Sequence, residues 1–492
     1  MTVTPYCPNL LQDRQQLYQL LLTSKQQSID NNSQQIVSIS QEVPLLDPLA
    51  VLEKLRNEPV ISSLKPPTKL QFYLENRGKN EAIAAIDTAI SCRFTGDGRF
   101  QKTQSFIQNC LAKTISKGQL NLPFSGPHFF CSFTFFPEGV TNSQPFPPAT
   151  IFLPRWQVSC SHSICVLVAN VVVNCQTNLE LLLESLCRNL QIILGLGRNV
   201  SNLSSNRQKT IIKQDDKNEE KFKSSVIEVL KSIQSNHLNK IVLAKSLDVV
   251  SPLPFNLVSS LDKLRQRYPD CYIFSTSNGK GQNFLGASPE RLLSISKHQL
   301  VTDALAGSAP RGKTKAEDAK EANRLLGSEK ERREHQFVLD FIAQRLSQLG
   351  LVPQFLPTPQ LLQLSNIQHL WTPIQAQLQT DIHPLEILAQ LHPTPAVAGV
   401  PTQIAGEQIR RYETFDRSLY AAPLGWVDYQ GNCQFIVGIR SALIESEKHK
   451  GTKTNTYNAR LYAGAGIVAG SEPENELAEI QLKLQALLKA LL

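Results

Sequence analysis

In the second half of the chain the spacing of apolar positions switches repeatedly between two periods. From Phe222, "FKSSVIEVLKSIQ" returns every three or four residues and predicts an amphipathic helix, whereas "KIVLAKSLDVV" from Lys240 alternates as a strand. "CYIFSTSN" predicts another strand and "LLSISKHQLVT" a hairpin. One long helix is expected near residues 316–349. Beyond it, "APLGWVDYQGNCQFIVGIRSALIE" turns at Tyr-Gln-Gly-Asn, and "ARLYAGAGIVAG" forms a further strand. Residues 1–205 hold strand-like "FFCSFTFF" and "ATIFLPRW" and a helix-like "NLELLLESLCRNLQIIL", punctuated by Pro and Gly. Hairpins dominate over β-α-β crossovers, which predicts an α+β fold of largely antiparallel sheets with helices outside. The polar stretch after residue 200 breaks every apolar period. A linker is therefore placed at 206–221, between an N-terminal half, 1–205, and a richer region, 222–492.

The predicted helix around "KERREHQFVLDFI" raises a question of charge. Glu331 and Glu334 lie three apart and repel unless a cation sits nearby. Lys330, Arg332 and Arg333 are close, and a charge-rich helical stretch is usually a solvated face. Yet steps of three, four, seven and eight from Glu334 land on Phe337, Val338, Phe341 and Ile342, so the glutamates share the core stripe. "SEPENELAEIQLKLQALLKALL" repeats the arrangement with Glu476 and Glu479 beside Ile480, Lys483, Leu484 and Leu487. Two inward-facing carboxylate pairs call for a cation.

Composition narrows the class. With 492 residues, 41% hydrophobic and 19% charged, the chain reads as globular and large enough for a sizeable core. Its net charge of +8 suits an anionic small molecule; no clustered basic run or nucleic-acid motif appears, so nucleic acid is not an expected partner. Ten cysteines contain no C-x-x-C pair, which argues against a zinc site, and reduced thiols are expected. The N-terminus resembles neither a signal nor a transit peptide, and the longest apolar run, "ICVLVANVVV", is too short for a bilayer. A cytoplasmic location with no membrane partner is expected.

Nine blocks in order carry a family resemblance: "KIVLAKSL", "GASPERLLSI", "DALAGSAPRG", "KERREHQFV", "IQHLWTPI", "LHPTPAVAG", "LYAAPLGW", "FIVGIRSALI" and "LYAGAGIVAGSEPENELAEIQLK". Together they resemble the chorismate-utilising enzymes, most of all isochorismate synthases, over residues 222–492. The first 200 residues match only loosely, through "GDGRFQKTQ" and "IFLPRW". The resemblance implies one unit of two stacked, mainly antiparallel sheets with outer helices, holding chorismate against Mg²⁺. It makes Glu334 and Glu479 direct metal ligands and places Glu331 and Glu476 behind water, in keeping with a hard cation that takes few carboxylates.

The remaining roles also come by resemblance. Lys240 matches the lysine that activates water, which requires it to be neutral part of the time; a lysine at a strand start otherwise snorkels to the surface. Glu290 matches the acid that protonates the departing C4 hydroxyl, and it needs a raised pKa; alone it would read as a surface carboxylate paired with Arg291. Arg440 and Tyr420 would clamp the enolpyruvyl carboxylate, although Arg440 also reads as one half of a structural ion pair. Gly307 and Ser308 approach the substrate or simply form a tight turn. Gly464 and Gly466 offer N–H groups or mark a crowded strand crossing. Lys483 balances the carboxylates or touches substrate, His369 lies near the reacting ring, and Ala396 lines the site.

Branch residues favour isochorismate synthase. Lys240 implies water as nucleophile, and Ala306 stands where relatives that form a covalent intermediate carry a lysine. Salicylate synthase, which goes on to eliminate pyruvate, uses nearly the same residues and is the alternative. A catalytically inactive regulatory relative is the reading from a different class. No glutaminase subunit is expected, the state is expected to be a monomer or weak homo-oligomer, and a role in menaquinone or phylloquinone synthesis is expected.

Overall fold

The antiparallel pairing expected from hairpins governs most of the molecule. The computed structural model describes residues 9–56, 69–138, 144–196, 211–212, 216–365, 367–378, 382–445 and 456–491. Among them, the pairing of Gln35–Val43 with Thr114–Gly118 is the one parallel ladder. The architecture is α+β.

Two ladders leave the long strand Ala149–Ser161. One passes through Glu81–Phe94, Gln71–Asn76, Tyr272–Ser277, Gln282–Ser288, Ser441–Glu445 and Tyr457–Val468 to Lys240–Ser251. The other passes through His128–Phe133, Pro423–Asp428, Cys433–Val437, Arg291–Ser296 and Gln299–Pro310 to Ile367–Gln377. Along Ala149–Ser161 one neighbour changes, from His128–Phe133 to Ile164–Val173. Its other partner bulges between Thr88 and Ile90, as a strand does where it turns a corner. The two expected sheets are thus joined by continuous pairing. The N-terminal half also enters the catalytic half's sheet directly, since Gln71–Asn76 pairs with Tyr272–Ser277.

Several elements depart from the expected boundaries. The long helix near 316–349 is two helices, Lys315–Gly327 and Glu329–Gln348, because Ser328 ends the first and its side chain caps the second at Glu331 N. The first begins in a reciprocal box, with Thr314 and Glu317 each satisfying the other's backbone. Of the linker at 206–221, residues 206–210 and 213–215 lie outside the described residues. Ile211–Ile212 pairs with Val249–Val250, and helix Asp216–Gln234 already contains the linker's end.

The cysteines depart as well. Cys160 and Cys165 form a disulfide across the hairpin joining Ala149–Ser161 to Ile164–Val173, where they are cross-strand partners 4.2 Å apart at Cα. Four intervening residues fit a tight hairpin turn, a spacing that a search for metal-type pairs passes over. The other described cysteines are free thiols. The apolar run "ICVLVANVVV" is strand Ile164–Val173, and no helix among the described residues is long and apolar enough to cross a membrane.

The start of Lys240–Ser251 is buried on both faces, so its alternation does not separate a wet side from a dry one. Tyr457–Val468 flanks it on one edge, and Gly399–Val400 meets Lys240 and Ile241 on the other. A buried ion pair fastens this strand to the segment that follows it in space. Arg417, 1% exposed at its side chain, donates from Nε to Glu413 at 2.9 Å and from its Nη atoms to the carbonyls of Val397 and Val242. Glu413 in turn accepts from Ala244 N at 2.8 Å. Removing one partner of such a pair leaves the other charge buried and alone. Arg417→Ala is expected to cost about 3–5 kcal/mol, read as a lower midpoint in urea unfolding with an unchanged slope.

Candidate active site

Lys240 is 0% exposed, at the head of a strand that the sheet covers on both faces. Its ammonium reaches Glu334 of helix Glu329–Gln348, with Nζ 2.9 Å from Oε1. The contact is an ion pair whose angles fall short of a hydrogen bond, so the Nζ protons have no aligned protein acceptor. A surface, snorkelling Lys240 is ruled out. Gly466 makes the meeting possible: a Cβ there would lie 2.2 Å from Glu334 Oε1 and 3.5 Å from Lys240 Cε. In the ladder Gly464 and Gly466 pair with Ala244 and Val242, and their contribution is the space left by the missing side chain.

The four glutamates line one cleft. The apolar stripe beneath them is packed inward: Val338, Ile342, Ile480, Leu484 and Leu487 are buried while Arg332 and Arg333 are exposed. Among the described residues no three acidic, histidine or cysteine side chains close into a metal-ligand cluster. Lysines are interleaved instead. Lys330 Nζ is 3.1 Å from Glu476 and 3.7 Å from Glu331, and Lys483 donates to Glu479 at 2.6 Å and to Gly464 O at 2.9 Å. The charge compensation demanded by the two glutamate pairs thus comes from three ammonium groups of the chain itself. Burial, and next the charge of Glu334, push the Glu331 carboxyl above its ordinary range, and burial does the same to Glu476. An oxygen-only donor set of crowded carboxylates fits a hard divalent cation, which takes one or two of them and keeps waters.

Glu290 enters the cleft from the start of strand Arg291–Ser296. It is buried, and desolvation pushes its pKa up to about 8; Lys240 opposes that rise and Asp303 adds to it. The surface pairing with Arg291 does not occur, because Arg291 binds Asp303 at 2.7 Å. The cleft therefore holds a carboxyl kept neutral, with a fully buried amine behind its Glu334 wall.

Opposite them runs a polar chain. Gly307, at φ +77°, sits in a bulge of strand Gln299–Pro310, not in a tight turn, and a Cβ there would press on Glu331. The bulge turns Ser308 N toward Glu331 Oε2 at 3.0 Å. Ser308 Oγ lies 3.1 Å from His369 Nδ1, and His369 Nε2 accepts from Arg440 Nη2 at 3.1 Å. Burial, and then Arg440, hold the imidazole neutral well below its ordinary range. Arg440 has no carboxylate partner among the described residues, which removes the structural ion pair as its role, and its backbone takes the left-handed φ of +48°. Tyr420 is buried and stacked on Tyr462 at 5.3 Å between centroids. Burial raises its pKa, leaving a neutral donor whose hydroxyl would stand 2.8 Å from a Cβ at Gly464. Ala396 and Ala306 line the same cleft.

Of the residues expected at the site, all but Lys240 line this cleft, and Lys240 lies behind it, against Glu334. Among the lining residues not anticipated as such are two polar ones, Lys330 and Tyr462. Lys330 lies four before Glu334 on one helical face, and Tyr462 precedes Gly464 and Gly466 by two and four in a strand, so both periods pointed to them.

With this geometry in place, comparison with known proteins assigns the class. The family model for chorismate-binding enzymes matches residues 22–492, and the chain belongs to that family. Within it the likeness is strongest to isochorismate synthases. The chain is 32% identical to the salicylate biosynthesis isochorismate synthase of Pseudomonas aeruginosa, over 93% of this chain and 90% of that one. It is 31% identical to an isochorismate synthase of Bacillus subtilis, over 80% and 79%. The solved menaquinone-specific isochorismate synthase of Escherichia coli superposes with a TM-score of 0.72 at 26% identity, covering 96% of this chain and all of that one.

A methyl group at position 466 collides with the Glu334 carboxylate while leaving the strand's conformation free. Gly466→Ala is expected to lower kcat/KM with chorismate by about 10²-fold through displacement of Glu334 and Lys240, and, because Lys240 then loses its countercharge, to lower the thermal midpoint as well.

Proposed function

We propose that this chain is an isochorismate synthase, an isomerase that moves the hydroxyl of chorismate from C4 to C2. The observation that carries the reading is a buried carboxyl in the cleft that stays protonated near neutral pH, with a buried lysine held against the cleft's Glu334. Lys240 takes a proton from a water molecule as its oxygen bonds to C2. The ring double bonds shift, the C4–O bond breaks, and Glu290 gives its proton to the departing hydroxyl, which leaves as water. Lys240 finishes protonated and Glu290 ionised, and exchange with solvent resets both. Arg440 and Tyr420 supply donors for the enolpyruvyl carboxylate, and the neutral His369 holds the Arg440 guanidinium in place. Glu334 and Glu479, with Glu331 and Glu476 behind them, would hold a Mg²⁺ ion, whose charge binds the ring carboxylate and eases its part in the electron shift.

Water as nucleophile needs no ammonia-supplying subunit. A destination in quinone synthesis draws support from the likeness to the menaquinone-specific enzyme of Escherichia coli. Support against an inactive relative comes from Glu290, buried in the cleft, and Lys240, buried beside the cleft's Glu334.

Purified protein with chorismate and Mg²⁺ is expected to form isochorismate, identified by chromatography, and EDTA to abolish turnover. Salicylate plus pyruvate would instead mark a salicylate synthase, and no conversion an inactive relative. Lys240→Ala and Glu290→Gln are each expected to cost about 10²–10⁴-fold in kcat. Because Glu290 acts in its protonated form, kcat/KM is expected to decline as pH rises through about 8; a flat profile to pH 9.5, scaled to enzyme stability, would remove Glu290 as the acid.

A further inference from the structure

Glu290 and Arg291 are consecutive, and a guanidinium beside a buried carboxyl is the simplest means of ionising it. The fold prevents that. Glu290 lies just before strand Arg291–Ser296 and lines the cleft, whereas Arg291, absent from that lining, donates from Nη2 to Asp303 Oδ1 at 2.7 Å, across the hairpin to strand Gln299–Pro310. The same oxygen accepts Trp371 Nε1 at 2.9 Å from the next strand, Ile367–Gln377. Arg291 and Asp303 are 14% and 9% exposed at their side chains, so the pair is largely desolvated and its charges act over distance. Asp303 itself does not line the cleft.

The groups facing Glu290 come from several elements. Lys240 approaches from its strand and favours ionisation, while Tyr420 stands within range of the carboxyl's charge. Glu334 of the helix and Arg440 lie across the same cleft. Behind Glu290 is the Arg291–Asp303 pair.

We propose that Asp303 is a positioning residue for the isomerisation. Anchored by Trp371, it holds and neutralises the Arg291 guanidinium, and so keeps the proton on Glu290. This inference rests on Glu290 as the general acid, and it adds a residue outside the cleft that sets when the acid is loaded.

The test is the pH profile of kcat/KM with chorismate and Mg²⁺ for the parent, Asp303→Asn, Arg291→Gln and the double variant, with thermal unfolding of each. Asp303→Asn strips the countercharge, so its basic limb is expected to move about one pH unit lower, an about tenfold loss on that limb with little change below it. Arg291→Gln leaves Asp303 unopposed and is expected to move the limb upward, and the double variant to bring it back near the parent's. Where Asp303→Asn fails to fold, the upward shift in Arg291→Gln and the return in the double variant decide the matter. Loss by one factor at every pH, with the limb unmoved in the folded variants, would overturn the role of Asp303 while leaving Glu290 as the acid. A parent with no basic limb, or an active Glu290→Gln, would overturn both.

Discussion

An amine buried inside the protein is the constraint on which the site depends. Lys240 is inside the protein, where an uncompensated ammonium is too costly to keep, and the compensation it finds is Glu334, brought from a helix almost a hundred residues later. That one contact requires the strand, the helix and the glycine-bearing strand Tyr457–Val468 to meet at one point. The missing Cβ of Gly466 is the clearest sign that the meeting is built in. The Arg417–Glu413 pair serves the same end from below, since it binds the backbone of the Lys240 strand on both sides of Leu243.

The cleft is a balance of charges in which no carboxylate is left without a nearby counter-charge or a reason to stay neutral. Lysines answer Glu334, Glu476 and Glu479, and burial keeps Glu290 protonated. Across the cleft, a neutral His369 between Ser308 and Arg440 orients a guanidinium with no carboxylate of its own, a posture suited to an anionic substrate.

Much of this was legible beforehand, and the reasons are local. The strand and helix assignments after residue 222 rested on apolar period, which the chain carries whatever surrounds it. The glutamate pairs were found because carboxylates on a core stripe contradict its polarity. Lys330 and Tyr462 were within reach of the same periods but looked ordinary. The break at Ser328 falls in the charged run 327–336, which has no apolar residue to set the phase of either helix. The Cys160–Cys165 bridge was missed because a pairing across a hairpin depends on register, which spacing alone does not set.

By itself, the sequence determined the elements, the class of fold, the family and the identity of the residues that gather at the site, since each is encoded in short-range pattern or in blocks of residues kept in order. Tertiary structure alone decided which charge meets which. Arg291 could have ionised Glu290 and instead binds Asp303; Lys240 could have reached solvent and instead lies buried against Glu334. Those outcomes depend on burial and on distances between strands far apart in the chain, and electrostatic energy in a low-dielectric interior is set by such distances, not by order along the backbone.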